Sequence, residues 1–300
     1  MKVGVLGAGA WGSALAHVAR TAGHEVEVWS RGMAVEPLRS AQGLILAVPA
    51  QGVRGVLSGL KSIVTNAIPL IISAKGIEQG TGLFMNEVVA EVLPAAEPMV
   101  LSGPSFAADV MKGLPTAVVL AAGEISQAHQ WAEALSLPQF RIYASDDVKG
   151  VEIGGALKNV LAIACGISDG RVLGDSARAA LTTRGFAELT RFAAKLGANP
   201  ETLMGLSGLG DLLLTCSSRQ SRNYSFGFAL GEGKTVEQAL SQSRGVVEGA
   251  ATVKVAQALA RKLGVDMPIV DAVHAIVDEG TAPDQEIARL LARPLRAEIR

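Results

Sequence analysis

The sequence predicts an α/β chain, with a doubly wound, mostly parallel sheet first and an all-α part after it. Three observations carry this. Apolar runs of strand length alternate with helical stretches up to about residue 145; glycines crowd the first strand-to-helix junction; and strand patterns almost vanish beyond 145. The expected division is a sheet domain over residues 1–147 and a helical domain over 148–300.

Val3-Gly4-Val5-Leu6 reads as a buried strand, 13–19 as the helix after it, stopped at Gly23, and 25–29 as the second strand. Residues 44–48 form a strand ended by Pro49, 70–74 a strand running into Lys75-Gly76, and 99–102 a strand running into Gly103-Pro104-Ser105. Strands over 116–120 and 140–143 complete the sheet, with helices over 81–93 and 124–135 among the connections. Ligands of such sheets sit beyond the carboxyl ends of the strands, so Ser30-Arg31, Lys75 and Ser105 are expected on one rim.

Beyond 145 the periodicity predicts helices over 149–167, 177–196, 235–242, 250–263, 269–279 and 283–291. Gly154-Gly155 lowers helix propensity in the first of these, so it is expected where backbones pack closely. A helical domain docked on a sheet domain leaves a cleft, a common seat for a substrate.

The junction after the first strand is Gly7-Ala8-Gly9-Ala10-Trp11-Gly12. Gly7 permits the tight turn, Gly9 lets backbone N–H groups approach a pyrophosphate, and Gly12 lets helix and strand pack. The helix start presents unpaired N–H groups and partial positive charge to the phosphates. In the order strand, fingerprint, helix, strand, the motif predicts a Rossmann-type dinucleotide site.

Composition narrows the partners. With 49% hydrophobic residues the chain has material for a large core, and a net charge of -1 offers no electrostatic case for nucleic acid or an anionic membrane. Cys165 and Cys216 lie in no C-x-x-C unit and the four histidines show no ligand spacing, so no metal site is expected. The uncharged run to Ala16 is not a secretory leader, because Gly7, Gly9, Trp11 and Gly12 interrupt it. Lys158 breaks the next apolar stretch, 153–167, so no membrane helix is expected and the chain reads as cytoplasmic.

Three polar groups stand out in the helical half. Lys158 lies in an apolar helix, where it is either a lysine snorkelling to solvent or a desolvated ammonium able to exchange protons near neutral pH. The second state suits carbonyl reduction, in which a nascent alkoxide needs a proton. Asp211, in Gly208-Leu209-Gly210-Asp211-Leu212, is either a local cap or a carboxylate that orients a catalytic group. Gln220-Ser221-Arg222-Asn223 is either a solvated loop or a phosphate clamp built on the arginine fork.

Read in order, G-A-G-A-W-G, Ser-Ala-Lys-Gly-Ile-Glu (73–78), Ser-Gly-Pro-Ser-Phe-Ala (102–107), Gly-Gly-Ala-Leu-Lys-Asn (154–159), Gly-Leu-Gly-Asp-Leu (208–212), Gln-Ser-Arg-Asn (220–223) and Val-Val-Glu-Gly (246–249) resemble bacterial NAD(P)-dependent glycerol-3-phosphate dehydrogenases. The resemblance spans nearly the whole chain. It implies reversible reduction of dihydroxyacetone phosphate to sn-glycerol 3-phosphate for glycerophospholipid synthesis, with NADP or NAD as cofactor and a homodimer as the assembly. It further implies Lys158 as general acid and base, and Lys75 against both substrate and cofactor. Gly103, Ser105 and Asp211 would line the substrate, with Ser221, Arg222 and Asn223 at its phosphate end. Gly7, Gly9, Ala10, Trp11, Gly12, Ala107, Arg222, Val246 and Glu248 would meet the nucleotide.

Two departures qualify the resemblance. Only residues 32–43 separate the second strand from the next, too few for a normal helical crossover. This opens the adenosine half of the site. Second, Ser30-Arg31 stands where an acidic residue would bind a ribose 2′-hydroxyl, which favours NADPH through an Arg31–phosphate pair. The alternatives are a ketopantoate-reductase-like hydroxy-acid dehydrogenase of the same architecture and a non-catalytic nucleotide-binding protein.

Overall fold

The protein is described by a computed structural model covering residues 1–294. Its first half alternates strand and helix: β1 (Lys2–Leu6), α1 (Ala10–Thr21), β2 (Glu25–Trp29), β3 (Gly43–Leu46), α2 (Val53–Leu60), β4 (Ile68–Ile72), α3 (Met85–Val92), β5 (Ala96–Ser102), α4 (Ala107–Met111), β6 (Thr116–Ala122), α5 (Ile125–Leu135) and β7 (Phe140–Ser145). These strands make one sheet in the order β2-β1-β3-β4-β5-β6-β7. Only the β5–β6 pair is antiparallel, so the expected mostly parallel, doubly wound sheet is present.

Both faces of the sheet are covered, which is why its central strands are apolar without alternation. Val3, Val5, Ile45 and Ile71 join α1 and α5 in one core, while Leu6, Leu46, Leu70 and Ile72 join α2 and α3 in the other. Burying each such side chain is worth roughly 1.5–3 kcal/mol. The helix expected over 81–93 begins later, at Met85. An antiparallel bridge, Ile77 to Phe84, with Gly80 and Gly82 at positive φ, holds the preceding residues as a loop.

The second half is helical: α6 (Val148–Gly170), α7 (Asp175–Lys195), α8 (Pro200–Met204), α9 (Asp211–Cys216), α10 (Arg222–Gly231), α11 (Val236–Ser241), α12 (Glu248–Leu263), α13 (Pro268–Val277) and α14 (Pro283–Leu291). The sequence reading missed α8, α9 and α10. Two of these have sequence signals: Asn199 caps α8 ahead of Pro200, and Ser221 caps α10 by accepting from Tyr224 N. Gly227 and Gly231 disguise α10, but a Cβ on either would meet a carbonyl oxygen of α6 at 2.1 or 2.5 Å. Glycine there is the condition for helix contact.

α6 is the axis of this half. Gly154 presses on the Ser207 carbonyl and Gly155 on Ser102, as the close-packing expectation required. The expectation that no stretch here is apolar enough to span a membrane needs correction. α6 is a continuous 23-residue helix containing an 18-residue window of mean hydropathy 1.4, long and apolar enough to cross a membrane, but that window is entirely buried in protein. A core helix surrounded by other helices is under the same demand for apolar residues as a membrane span.

Candidate active site

The sheet's switch point lies between β1 and β3, because the chain leaves β1 for β2 on one side and continues from β3 on the other. Gly7, at φ +117°, turns the chain there; a Cβ on it would lie 2.5 Å from the Ala47 carbonyl oxygen. A Cβ on Gly12 would overlap the Gly7 carbonyl oxygen at 1.9 Å, so the helix starts hard against the strand. Gly9 differs: a Cβ on it would meet nothing within 4 Å. Gly9 caps α1 without a side-chain hydrogen bond, and Ala10 beside it is exposed, with Trp11 half-buried. An uncapped helix start with free space in front of it fits a dinucleotide pyrophosphate. In a bound cofactor these residues would hold the phosphates.

The polar centre joins the two halves. Lys75, just past β4, donates from Nζ to Asp211 Oδ2 at 2.7 Å and to the Gly103 carbonyl at 3.3 Å. Lys158, on α6, donates to Asp211 Oδ1 and, at 2.9 Å, to Thr215 Oγ1. Asp211 is not in a turn. It opens α9 after a π-helical stretch, Leu206–Gly210, and is only 1% exposed. Thr215, one turn further along α9, thereby faces the same ammonium.

Electrostatics follow from this packing. Burial pushes Lys158 down to about 8, with help from the Lys75 charge and against the opposing pull of Asp211. For Asp211, burial acts upward but is outweighed by Lys158 and Lys75, which hold the carboxyl below its usual range. Two ammonium groups against one carboxylate leave the centre positive when all are charged.

A second set lies alongside. Asn159 Nδ2 donates to the Lys75 carbonyl at 3.3 Å, Asn223 Nδ2 donates to Asn159 Oδ1 at 2.9 Å, and Gly249 N donates to Asn223 Oδ1 at 2.9 Å. This chain ties α10 and α12 to the Lys158 turn of α6. Arg222, the exposed first residue of α10, extends its guanidinium to Gly245, where a Cβ would come within 2.8 Å of Nη1. Glu248 opens α12, and its Oε1 accepts from Ala50 N at 3.0 Å. Burial pushes its carboxyl up, against the Ala50 hydrogen bond and the Arg222 charge.

The remaining residues named from sequence also have defined places. Gly103, at φ +143°, abuts Val118, and Ser105 Oγ donates back to the Gly103 carbonyl at 3.1 Å. Ala107 begins α4, Val246 is exposed before α12, and Arg31 is exposed after β2. Ser221 and Asn223 are buried, with Ser221 Oγ serving as the α10 cap and the Asn223 amide engaged at both ends. Asn159 and the Ala50 amide had no role from sequence. Their partners lie far along the chain, and no local pattern marks them.

Fold and site together define a two-domain, nicotinamide-dinucleotide-linked dehydrogenase. The comparisons agree. A family model for the NAD-dependent glycerol-3-phosphate dehydrogenase C-terminus matches residues 147–288, and one for the N-terminus matches 2–36 and 34–128. The chain belongs to that family.

A protein of Parvibaculum lavamentivorans named glycerol-3-phosphate dehydrogenase [NAD(P)+] is 49% identical over 326 aligned residues, covering 99% of this chain and 98% of the relative. A protein of the same name from Methylobacterium radiotolerans is 50% identical, with the same coverage. The crystal structure of glycerol-3-phosphate dehydrogenase from Coxiella burnetii superposes with a TM-score of 0.93 at 37% identity, covering 97% of this chain and 99% of that one.

Proposed function

We propose that this chain catalyses the reversible, NAD(P)H-dependent reduction of dihydroxyacetone phosphate to sn-glycerol 3-phosphate, supplying glycerophospholipid synthesis in the cytoplasm. The observation that carries the reading is the Lys75–Asp211–Lys158 bridge between the two halves. When bound, the reduced nicotinamide supplies the hydride. Lys158 gives a proton to the alcohol oxygen as it forms and takes it back in the oxidation direction. A value of about 8 leaves its ammonium mostly protonated at neutral pH, yet a stronger acid than an ordinary lysine, so it yields its proton readily.

Asp211 and Thr215 fix the ammonium, and Lys75 contacts substrate and cofactor while lowering the Lys158 value. Gly103 and Ser105 line the substrate. Arg222 grips its phosphate, with Ser221 holding the start of α10 and Asn223 bracing it. Gly7, Gly9, Ala10, Trp11, Gly12, Ala107, Val246 and Glu248 receive the nucleotide. Arg31 pairs with a 2′-phosphate, favouring NADPH. The chain works as a homodimer. An open groove of about 1840 Å³, lined by Leu181, Phe186, Ile269, Val273 and Leu290, supplies the apolar face for a second copy.

The deciding assay follows NADPH absorbance with dihydroxyacetone phosphate, dihydroxyacetone and ketopantoate. Turnover strongly favouring the phosphorylated triose is expected. Equal rates with dihydroxyacetone would remove the phosphate clamp, and a preference for ketopantoate would move the chain to the hydroxy-acid alternative.

A further inference from the structure

The first half of a dinucleotide fold continues past its second strand, through a crossover helix, to a third strand that lies outside it. Here β2 is the edge of the sheet. Among the described residues, the connection from β2 to β3 contains only a 3₁₀ turn, Glu36–Ser40. The alignment with the Parvibaculum lavamentivorans relative runs over 326 residues, longer than this 300-residue chain, and the N-terminal family model matches in two pieces that meet at 34–36. The missing length therefore falls in this connection.

The shortened connection is a packed feature. After Trp29 the chain turns at once, with Met33 N donating to the Ser30 carbonyl at 3.1 Å and Gly32 at φ +90°. The Trp29 indole donates to the Met33 carbonyl at 2.9 Å and closes the turn. The chain then crosses the sheet over Gly4, where a Cβ would lie 2.8 Å from Leu38 Cδ2. Leu38 is 2% exposed, so a glycine in β1 admits the side chain that seals this face. Gln42 N donates to the Lys2 carbonyl at 2.8 Å, placing the end of the connection at the amino edge of the sheet. Nothing in this path returns to the carboxyl rim, where Arg31 and Met33 stand exposed.

We infer that the second base of the dinucleotide is not enclosed, so this enzyme accepts reduced nicotinamide dinucleotides whose second base is altered or bulkily substituted. The inference rests on the dehydrogenase reading above. The pyrophosphate is held at Gly9 and the start of α1, and the nicotinamide at the lysine centre. The outer wall that a third strand and its helix would build against adenine is absent from the described residues. Selection between cofactors then falls on the ribose phosphate through Arg31, and the base itself carries little.

The test is direct binding to the intact chain, read by quenching of protein fluorescence, with NADPH, NADH, reduced nicotinamide hypoxanthine dinucleotide and N6-aminoethyl NADH. A site built to hydrogen-bond a ligand group rejects an analogue lacking it by about 10⁴–10⁵, whereas a base left in solvent has no such contact to lose. The last three ligands are expected to bind within about threefold of one another, and millimolar 5′-AMP to leave NADH bound. A loss of about tenfold or more for either altered base, or displacement by submillimolar AMP, would overturn the inference while leaving the dehydrogenase reading intact. Failure of every nicotinamide dinucleotide to bind would overturn both.

Discussion

Lys75 and Lys158 hold opposite oxygens of one buried carboxylate, Asp211, one reaching it from the sheet and the other from the helical half. The Lys75 charge therefore lowers the proton affinity of Lys158, across a carboxylate that is only 1% exposed.

This coupling predicts the pH profile. Lys158 titrates at about 8, so kcat/KM for reduction is expected to fall as pH rises through that value and for oxidation to rise. Lys75→Met removes one of the forces holding Lys158 down, so its inflection should move to higher pH. Lys158→Ala should lower kcat by at least about 10² while fluorescence titration shows NADPH binding nearly intact. Near-normal turnover in that variant would remove Lys158 as the proton donor, and an inflection unmoved by Lys75→Met would remove its coupling to Lys75.

Asp211→Asn keeps the shape and deletes the charge that both ammonium groups share. Removing one partner of a buried ion pair costs about 3–5 kcal/mol, and urea unfolding of the variant should show a loss of that order. Without the carboxylate, the Lys158 value should drop further, since Asp211 is what pulls it upward. At pH 7 the variant would then lack its proton donor, and reduction should fall by about 10² or more. A loss of stability with normal kcat would assign Asp211 to folding alone.

Arg222 is exposed, and its side chain makes none of the hydrogen bonds that tie Asn223 and Ser221 into the fold. Arg222→Met should thus leave the melting temperature within about a degree or two, as surface substitutions usually do. Loss of charge-assisted bonds worth about 1.5–3 kcal/mol should raise KM for dihydroxyacetone phosphate roughly 10- to 100-fold. At saturating NADPH, turnover of unphosphorylated dihydroxyacetone should not change. Equal effects on both substrates would place Arg222 outside the phosphate site.

The fold was legible because its signals are local: apolar runs covered on both faces, a glycine fingerprint, and helical periodicity after 145. Asp211 and Arg222 stood out in the sequence as polar groups, yet their places at the starts of α9 and α10 were not legible. The glycines of Gly208 and Gly210 read as a turn, yet Gly208 packs against the Leu203 backbone and its segment is helical. Gly227 and Gly231 hid α10 in the same way, because glycine needed for helix contact looks like glycine needed for a turn. The lysine–carboxylate bridge joins residues remote in sequence, and nothing local records who meets whom. The short β2–β3 connection was visible as a length, while its sealing by Leu38 over Gly4 required coordinates.

Arg31 stands on the exposed turn after β2. If it pairs with a 2′-phosphate, Arg31→Ala should weaken NADPH binding about three- to tenfold, a modest loss because the pair is solvent-screened, and leave NADH binding unchanged. Titration of both cofactors by fluorescence checks this. Equal weakening of the two would withdraw the NADPH preference.

A final prediction concerns stability. Glu188 on α7 is buried, and its carboxylate accepts from Ile269 N at 2.9 and 3.1 Å and from Val270 N at 3.3 Å, at the start of α13. Burial pushes its value up to about 7, against the two backbone donors. The folded state thus holds a proton that the unfolded chain has lost, so stability falls as pH rises from about 4.5 to about 7 and levels off above that. A shift of this size corresponds to about 2–4 kcal/mol at 1.36 kcal/mol per unit. Glu188→Gln cannot titrate, and its lost acceptor is a pH-independent cost. Urea-unfolding curves between pH 5 and 8 should therefore show the wild type losing stability relative to the variant as pH rises. Glu152, pushed up by burial to about 8, titrates in both proteins and cancels from that difference. Parallel curves would mean that the carboxylate is ionised in the fold throughout, held by the helix start.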